Sequence, residues 1–333
     1  MRADARSRMN ARARKATIAV GVTLIVGVIL AVALKGCALM PWNGSAVGGR
    51  GGSVSLSVTR DFGRRAVANK AVSVGRGDSV MSVLGRSVDV DTDYGGGFVS
   101  SIEGLASRTS SGSGNDWFYY VNGVLSGTGA AEYEVRDGDS VWWDFHPWGG
   151  RTFIPAVVGS YPSPFTKGYG AGRAATTVFY GPTLETLARK VGAYLEGLGA
   201  RVEYRSGLPT SPGAGVEGPS MVFATPADAG GNRGVGKLLG DPAANGVFLK
   251  VKGQSLVALD EKGEPSPTAE RLNAAVVASG SGMGDAQPVW LVVCAGPDGA
   301  AAAGRLLTAR PEKLRGKFGA AVGERGAVYA LPR

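Results

Sequence analysis

"WFYYVNGVLSGTGAAEYEVRDGDSVWWDFHPW", Trp117 to Trp148, decides how the first half of this chain is read. Aromatic residues crowd both of its ends. Asn122-Gly123 and Asp137-Gly138 are tight-turn signals that break it. The flanking runs alternate, so the stretch reads as a strand entering an Asn-Gly hairpin, then two strands joined at Asp137-Gly138-Asp139. On the last of these, Val141, Trp143 and Phe145 share one face, and Trp142, Asp144, His146 and Trp148 share the other. A sheet covered on one side buries the first set. Trp142 and Trp148 are then expected to be partly exposed with His146 beside them, where a flat ligand would stack. The competing reading packs Trp142 under residues 147–172 or under a second domain.

Upstream, "SVSLSVTRDFG" (53–63) alternates as a strand. "AVSVGRGDSVMSVLGRS" gives a short strand and then a helix. Asp78 or Ser79 can cap it, and Val80, Val83 and Leu84 lie on one face. "FVSSIEG" is a further strand. Residues 53–150 therefore read as a small β-rich unit of order β-β-α-β-β-β, β-grasp-like, able to fold without residues 174–333. Residues 151–173, rich in Gly, Pro and aromatics, read as an ordered linker. Residues 174–333 alternate strand and helix as an α/β domain. "TTVFYG" and "RVEYRSG" are strands around a helix striped by Leu184, Leu187, Val191, Leu195 and Leu198. "GVFLKVKGQSLVALDEKG" is a hairpin, "TAERLNAAVVASG" a helix, "VWLVVCAG" a buried strand and "GAAAAGRLLTA" a helix. The fold class expected for the whole is α+β.

The chain has 333 residues and a net charge of +9. Seven of its 36 basic residues fall in positions 1–35 against one acidic residue, so the excess is largely an N-terminal tag. That pattern argues against a nucleic-acid face. Residues 1–15 read as a basic cytoplasmic tail. "TIAVGVTLIVGVILAVAL" (17–34) carries no charge, and at about 1.5 Å per residue it spans roughly a bilayer core. Residues 16–36 are thus expected to anchor the chain in the membrane or act as a signal, with the bulk extracytoplasmic. Cys37 follows Leu34 and Gly36 as in a lipoprotein cleavage site, with Lys35 departing from that pattern. An uncleaved anchor, lipidation at Cys37 and ordinary cleavage all leave the rest extracytoplasmic, and residues 37–52 read as a flexible spacer. With Cys294 as the one other cysteine, no disulfide framework holds the fold.

Motifs for chemistry are thin. "GGNRGVGKL" holds the glycines and lysine of a phosphate loop, but Leu238 stands where Ser or Thr would hold Mg²⁺, so it reads as a Gly-rich loop and nucleotide is not expected. Asp89, Asp91 and Asp93 are spaced like the start of a calcium loop, yet Tyr94 takes the place of the turn glycine and Ser100 that of the final Glu. His146, the single histidine, matches no nucleophile or zinc motif. No catalytic residue and no metal ligand is assigned, and no enzyme is expected, residues 174–333 staying open. The residues assigned to ligand binding are Trp142, His146, Trp148, Trp117 and Tyr94.

The motifs "VTRDFG", "GDSVMSVL", "YGGGFVSSIEG", "DWFYYVNG" and "YEVRDGDSVWWDFHPW" resemble the transcobalamin-like C-terminal domain family, a domain of unknown function (DUF4430). The resemblance covers about residues 53–148. Tyr133, Asp137, Gly138 and Asp139 match a segment that closes such domains, and Trp148 their frequent terminal tryptophan. In the vitamin carriers the resemblance implies a β-rich domain closing over cobalamin held by a helical barrel. This chain carries no such barrel, so the resemblance implies a separate barrel-type chain or a vitamin-type transporter as partner. The expected function is a membrane-anchored extracytoplasmic binding protein for a cobalamin-like or other small ligand, with no resident cofactor. The alternative is a surface protein using the same domain for protein contacts.

Overall fold

The computed structural model describes residues 51–333 apart from Ser111, Gly150, Arg151 and Ala171. The basic tail, the apolar run, Cys37 and nearly all of the spacer lie outside the described residues. No helix among the described residues is long and apolar enough to cross a membrane. The described residues fall in one compact unit.

The first sheet starts with β1 (Gly52–Arg60) and β2 (Arg65–Val74), an antiparallel hairpin. Next comes α1 (Val80–Gly85), begun by a capping box in which Ser79 and Ser82 each accept the other's backbone N–H through a side-chain oxygen. Its Val80, Val83 and Leu84 are buried, as their spacing requires. β3 (Val90–Asp93), β4 (Phe98–Ile102) and β5 (Leu105–Ala106) form a separate three-stranded sheet. β6 (Arg108–Ser110), β7 (Ser113–Val121), β8 (Val124–Leu125) and β9 (Ser140–Gly149) return to the first. Its order is β2-β1-β9-β7-β6, with β8 on β7. β1 and β9 run parallel at its centre. The strand expected just before Asp137 is reduced to an isolated bridge between Glu134 and Ser79. Its backbone instead bonds the start of α1, Val80 N–H to the Tyr133 carbonyl and Val135 N–H to that of Asp78.

Residues 152–170 carry α2 (Ser163–Thr166) and lie against both sheets. Val157 N–H donates to the Gly123 carbonyl, and Val158 N–H to that of Phe318. The second sheet takes in β10 (Thr176–Tyr180), β11 (Val202–Ser206) and β12 (Ser220–Ala224), with α3 (Glu185–Gly197) joining the first two. After α4 (Pro226–Gly231) and α5 (Arg233–Gly240) come β13 (Leu249–Lys252), β14 (Ser255–Ala258), β15 (Leu272–Ser279) and β16 (Val289–Cys294). The chain closes with α6 (Gly296–Gly304), β17 (Gly319–Gly323) and β18 (Val328–Leu331). The order is β11-β10-β12-β16-β15-β14-β13, with β17 on β15 and β18 on β17. β10, β11, β12 and β16 are mutually parallel, and the remaining pairings are antiparallel.

Two local expectations are corrected. "LNAAVVAS", expected to be helical, is β15, paired on both sides and buried at all but Asn273. Its run of small and β-branched side chains suits a strand covered on both faces. "GGNRGVGKL", expected to be a loop, belongs to α4 and α5, with the Asn232 side chain capping α5 through the Val235 N–H.

The result is a mixed α+β architecture with three apolar layers. Val54, Leu56, Val58, Trp143 and Phe145 pack with α1 under the first sheet. Phe62, Tyr120 and Trp142 pack with Phe179, Phe248, Val277 and Phe318 between the two sheets. Val178, Phe223, Trp290 and Val292 pack with α3 and α6 beyond the second sheet.

Candidate functional site

β9 is covered on both faces, which corrects the expectation of an open tryptophan platform and bears out the competing reading in which Trp142 is packed beneath later residues. Trp142 is 2% exposed, His146 is 4% and Trp117 is 7%. Trp148 is half-buried, and Tyr94 is 80% exposed. Trp142 and His146 face the second sheet, where the Phe318 ring meets both edge-on at 5.1 and 5.3 Å. The same ring meets Phe62 at 5.6 Å and Tyr120 at 5.7 Å. The His146 ring is itself stacked between Phe118 at 4.5 Å and Phe62 at 5.0 Å. The space a ligand ring would take is thus filled by the chain's own aromatics. Trp117 belongs to the other layer, with its Nε1–H donating to the Leu105 carbonyl at 2.9 Å.

Asp144 is fully buried in the centre of this layer. Its Oδ1 accepts the Phe62 N–H at 3.0 Å and lies 2.9 Å from His146 Nδ1. Its Oδ2 accepts the Gly63 N–H at 2.8 Å and the Thr59 hydroxyl. Thr59 Oγ1 in turn accepts the Trp142 Nε1–H at 2.7 Å. A buried carboxylate is costly unless each lone pair finds a donor, and here four groups meet it. The donors come from an unusual turn: Asp61, Phe62 and Gly63 all have φ near +60° to +80°. Two non-glycine residues in that region cost about 1–2 kcal/mol each, so the carboxylate holds a turn that otherwise disfavours itself. The turn aims Phe62 into the shared layer. Across the strand pair from His146 stands Asp116. Burial pushes its carboxyl above the usual range, while a bond from the Ser107 hydroxyl at 2.6 Å opposes the rise.

Tyr133, Asp137, Gly138 and Asp139 make structural closures. The Asp137 Oδ1 accepts the Ser53 N–H at 2.8 Å, and Gly138 N–H donates to the Ser53 carbonyl at 2.7 Å. Asp139 is buried and accepts from the Asn122 side-chain amide at 2.8 Å, tying both tight turns together. Tyr133 Oη accepts the Gly170 N–H at 3.2 Å.

Beside Trp142 lies an open groove of about 530 Å³. Its floor is the side of β1 and β2 that looks toward the second sheet: Ser55, Ser57 and Asn69, with Ser140 of β9. Its wall is formed by residues 159–163 and by Arg315 and Gly316. Small side chains create the space, and the wall comes close only because Gly159 lacks a side chain. A Cβ there would lie 2.6 Å from the Trp142 ring. Lys70 also borders the groove, but its ammonium is engaged by the Ser87 carbonyl. Arg315 is the other basic residue among those that line the groove. Sequence reasoning missed this floor. Its signal was the Ser-x-Ser-x-Thr alternation over Ser55, Ser57 and Thr59, which reads as an ordinary solvent face.

Tyr94 is separate from the groove. It sits at the β3–β4 turn with φ of +53°, followed by Gly95 and Gly96, and its ring meets that of Phe98 edge-on at 6.4 Å. Asp91 and Asp93 lie exposed on β3. Among the described residues no group of His, Cys, Asp and Glu side chains could hold a metal.

Residues 77–147 match the family described as a domain of unknown function (DUF4430). The match runs from just before α1 into β9 and takes in both tight turns. No curated protein matches the chain. Among solved structures the chain is similar to the crystal structure of haptocorrin in complex with Cbi, at 21% identity and a TM-score of 0.25. That likeness covers 31% of this chain and 27% of the other, so the chain spans under a third of haptocorrin's length.

Proposed function

We propose that this chain is a membrane-anchored extracytoplasmic binding protein, and that its ligand enters the groove between the β1–β2 face and residues 159–163. The groove is the observation that carries the reading. Its volume falls within the range of small-molecule sites, and its hydroxyl and amide groups offer convergent donors and acceptors. The central parallel pair, the flanking hairpin and the helix across one face support a β-grasp-like description of the first sheet. The motif resemblance makes a cobalamin-like ligand the first to test. Such a molecule exceeds the groove, so part of it stays outside, where a partner chain of the helical-barrel type or a transporter would cover it. Trp142 then serves as a buried buttress of the groove wall, and His146 and Trp117 as core. The reading is non-catalytic, in keeping with a sole histidine clamped between Asp144 and two phenylalanine rings.

A second reading, a surface protein working through protein contacts, is favoured by one observation. Tyr94 and Phe98 offer an exposed aromatic pair beside the exposed Asp91 and Asp93, the make-up of an interaction hot spot. The two readings part in one experiment. Cyanocobalamin is titrated calorimetrically into the full chain and into its Ser57→Trp variant, which fills the groove. Saturable binding lost in the variant supports capture in the groove. Absence of saturable binding, or equal binding by the variant, rejects it and leaves the contact reading.

A further inference from the structure

The second sheet carries a crevice of its own. β10 is followed by α3 on one face of the sheet, whereas β12 is followed by α4 on the other, since α3 packs in the outer layer and Ala229 of α4 in the layer between the sheets. Connections that leave adjacent parallel strands on opposite faces open a gap beyond the strand ends, the usual ligand position of such sheets. Here the gap is real: a groove of about 520 Å³ lies beyond β10, β12 and β16. Thr225 follows β12 at its edge, and Cys294 ends β16 in its floor. Leu187 and Lys190 of α3 form one wall, and Ala300 and Ala301 of α6 the other. The small α6 side chains keep the walls apart, so the space is a consequence of "GAAAAG" facing a leucine-bearing helix.

The lining is mostly apolar, with a single charged group, Lys190. Its neighbour Arg189 pairs with Glu185 at 2.8 Å, while Lys190 makes no ion pair among the described residues. Among the described residues no carboxylate lines the groove. We propose that this crevice binds a small apolar molecule carrying one carboxylate, the acyl or aryl body lying between α3 and α6 and the carboxylate meeting Lys190. Burial of the body supplies the affinity, and the lone cation selects the charge. The site is independent of the groove beside Trp142.

The test uses 4-phenylbutyrate and its neutral counterpart 4-phenylbutanamide. Each is titrated calorimetrically into the full-length chain in nanodiscs, with empty nanodiscs as reference. The anion is expected to bind saturably at one site. Lys190→Met should weaken the anion at least tenfold and the amide less than twofold. Ala301→Leu, at an exposed helical position that leucine suits, should abolish both. Ser57→Trp should change neither, which separates this site from the other groove. The assignment is overturned if the wild type binds nothing, if Lys190→Met weakens both ligands equally, or if binding survives Ala301→Leu. A dimer seen by sedimentation and dissociated by Ala301→Leu would also overturn it, by putting a second copy in the crevice.

Discussion

Replacing Asp144 by Asn alters one atom and should destabilise the fold out of proportion to its size. Asn keeps one acceptor oxygen and turns the other into a donor. The two carboxylate oxygens each hold a backbone N–H, from Phe62 and from Gly63. Whichever way the amide turns, one buried N–H faces an NH₂ group and loses its acceptor, at about 1–3 kcal/mol. Thr59 and His146 can reorient a proton and escape that clash. The bonds that remain change from charge-assisted to neutral, a further loss of about 1 kcal/mol apiece. An amide is cheaper to bury than a carboxylate, which returns part of this. A net loss of about 2–4 kcal/mol is expected. Urea unfolding of residues 49–333, followed by tryptophan fluorescence, measures it. Thr59→Ser, which keeps both backbone donors and the Trp142 Nε1–H satisfied, should cost less than Asp144→Asn. A loss below about 0.5 kcal/mol, within the range of an ordinary surface change, would refute the claim that the carboxylate holds the Asp61–Gly63 turn.

Trp142→Ala and Trp143→Ala should each cost about 3–5 kcal/mol by urea unfolding, since both rings fill close-packed layers; a near-neutral Trp142→Ala would restore the open platform. Asp78 is held at about 2, below its ordinary 3.8, chiefly by the Arg86 guanidinium at 2.8 and 2.9 Å. A depressed carboxylate stabilises above its unfolded pKa and loses that contribution as pH falls through the folded one. Asp78→Asn should therefore cost about 1 kcal/mol at neutral pH after solvent screening, and the gap to wild type should close as pH drops from about 4 to about 2; a pH-independent gap would rule the ion pair out. The fragment 53–150 should bind a hydrophobic dye strongly, because Phe62, Tyr120 and Trp142 lose their cover, whereas residues 49–333 should not.

Much of the first sheet was legible in local pattern. The cap, left between Asp78 and Ser79 by the sequence, falls on Ser79, and the buried Val80, Val83 and Leu84 follow from spacing of three and four. The Asn122-Gly123 and Asp137-Gly138 turns follow from the need for positive φ, found at Asn122, Gly123 and Gly138. Of the stripe read along α3, Leu184, Leu187, Val191 and Leu195 are buried, whereas Leu198 at the C-cap is 45% exposed. What failed was the count of layers. Alternation shows which side chains share a face, but not whether the second face meets water. The clue lay in the composition of that face, where Trp142 and His146 accompany Asp144. A lone Asp on a strand reads as solvent-facing, because its donors here come from a turn some eighty positions earlier. β15 failed for a related reason, since Ala and Val serve a buried helix or a buried strand equally well over so short a run.

Phe318 stands on four rings that precede it by 172 positions or more. A chain synthesised from its N-terminus completes the first sheet long before that side chain is available. For the interval, Phe62, Tyr120, Trp142 and His146 face outward as an uncovered aromatic surface, at a stage when partly folded sheets stick to one another. The ordering of the layers therefore sets a kinetic demand on the cell: the inner sheet must be shielded, or the remaining chain delivered quickly, before the last strands arrive to close it.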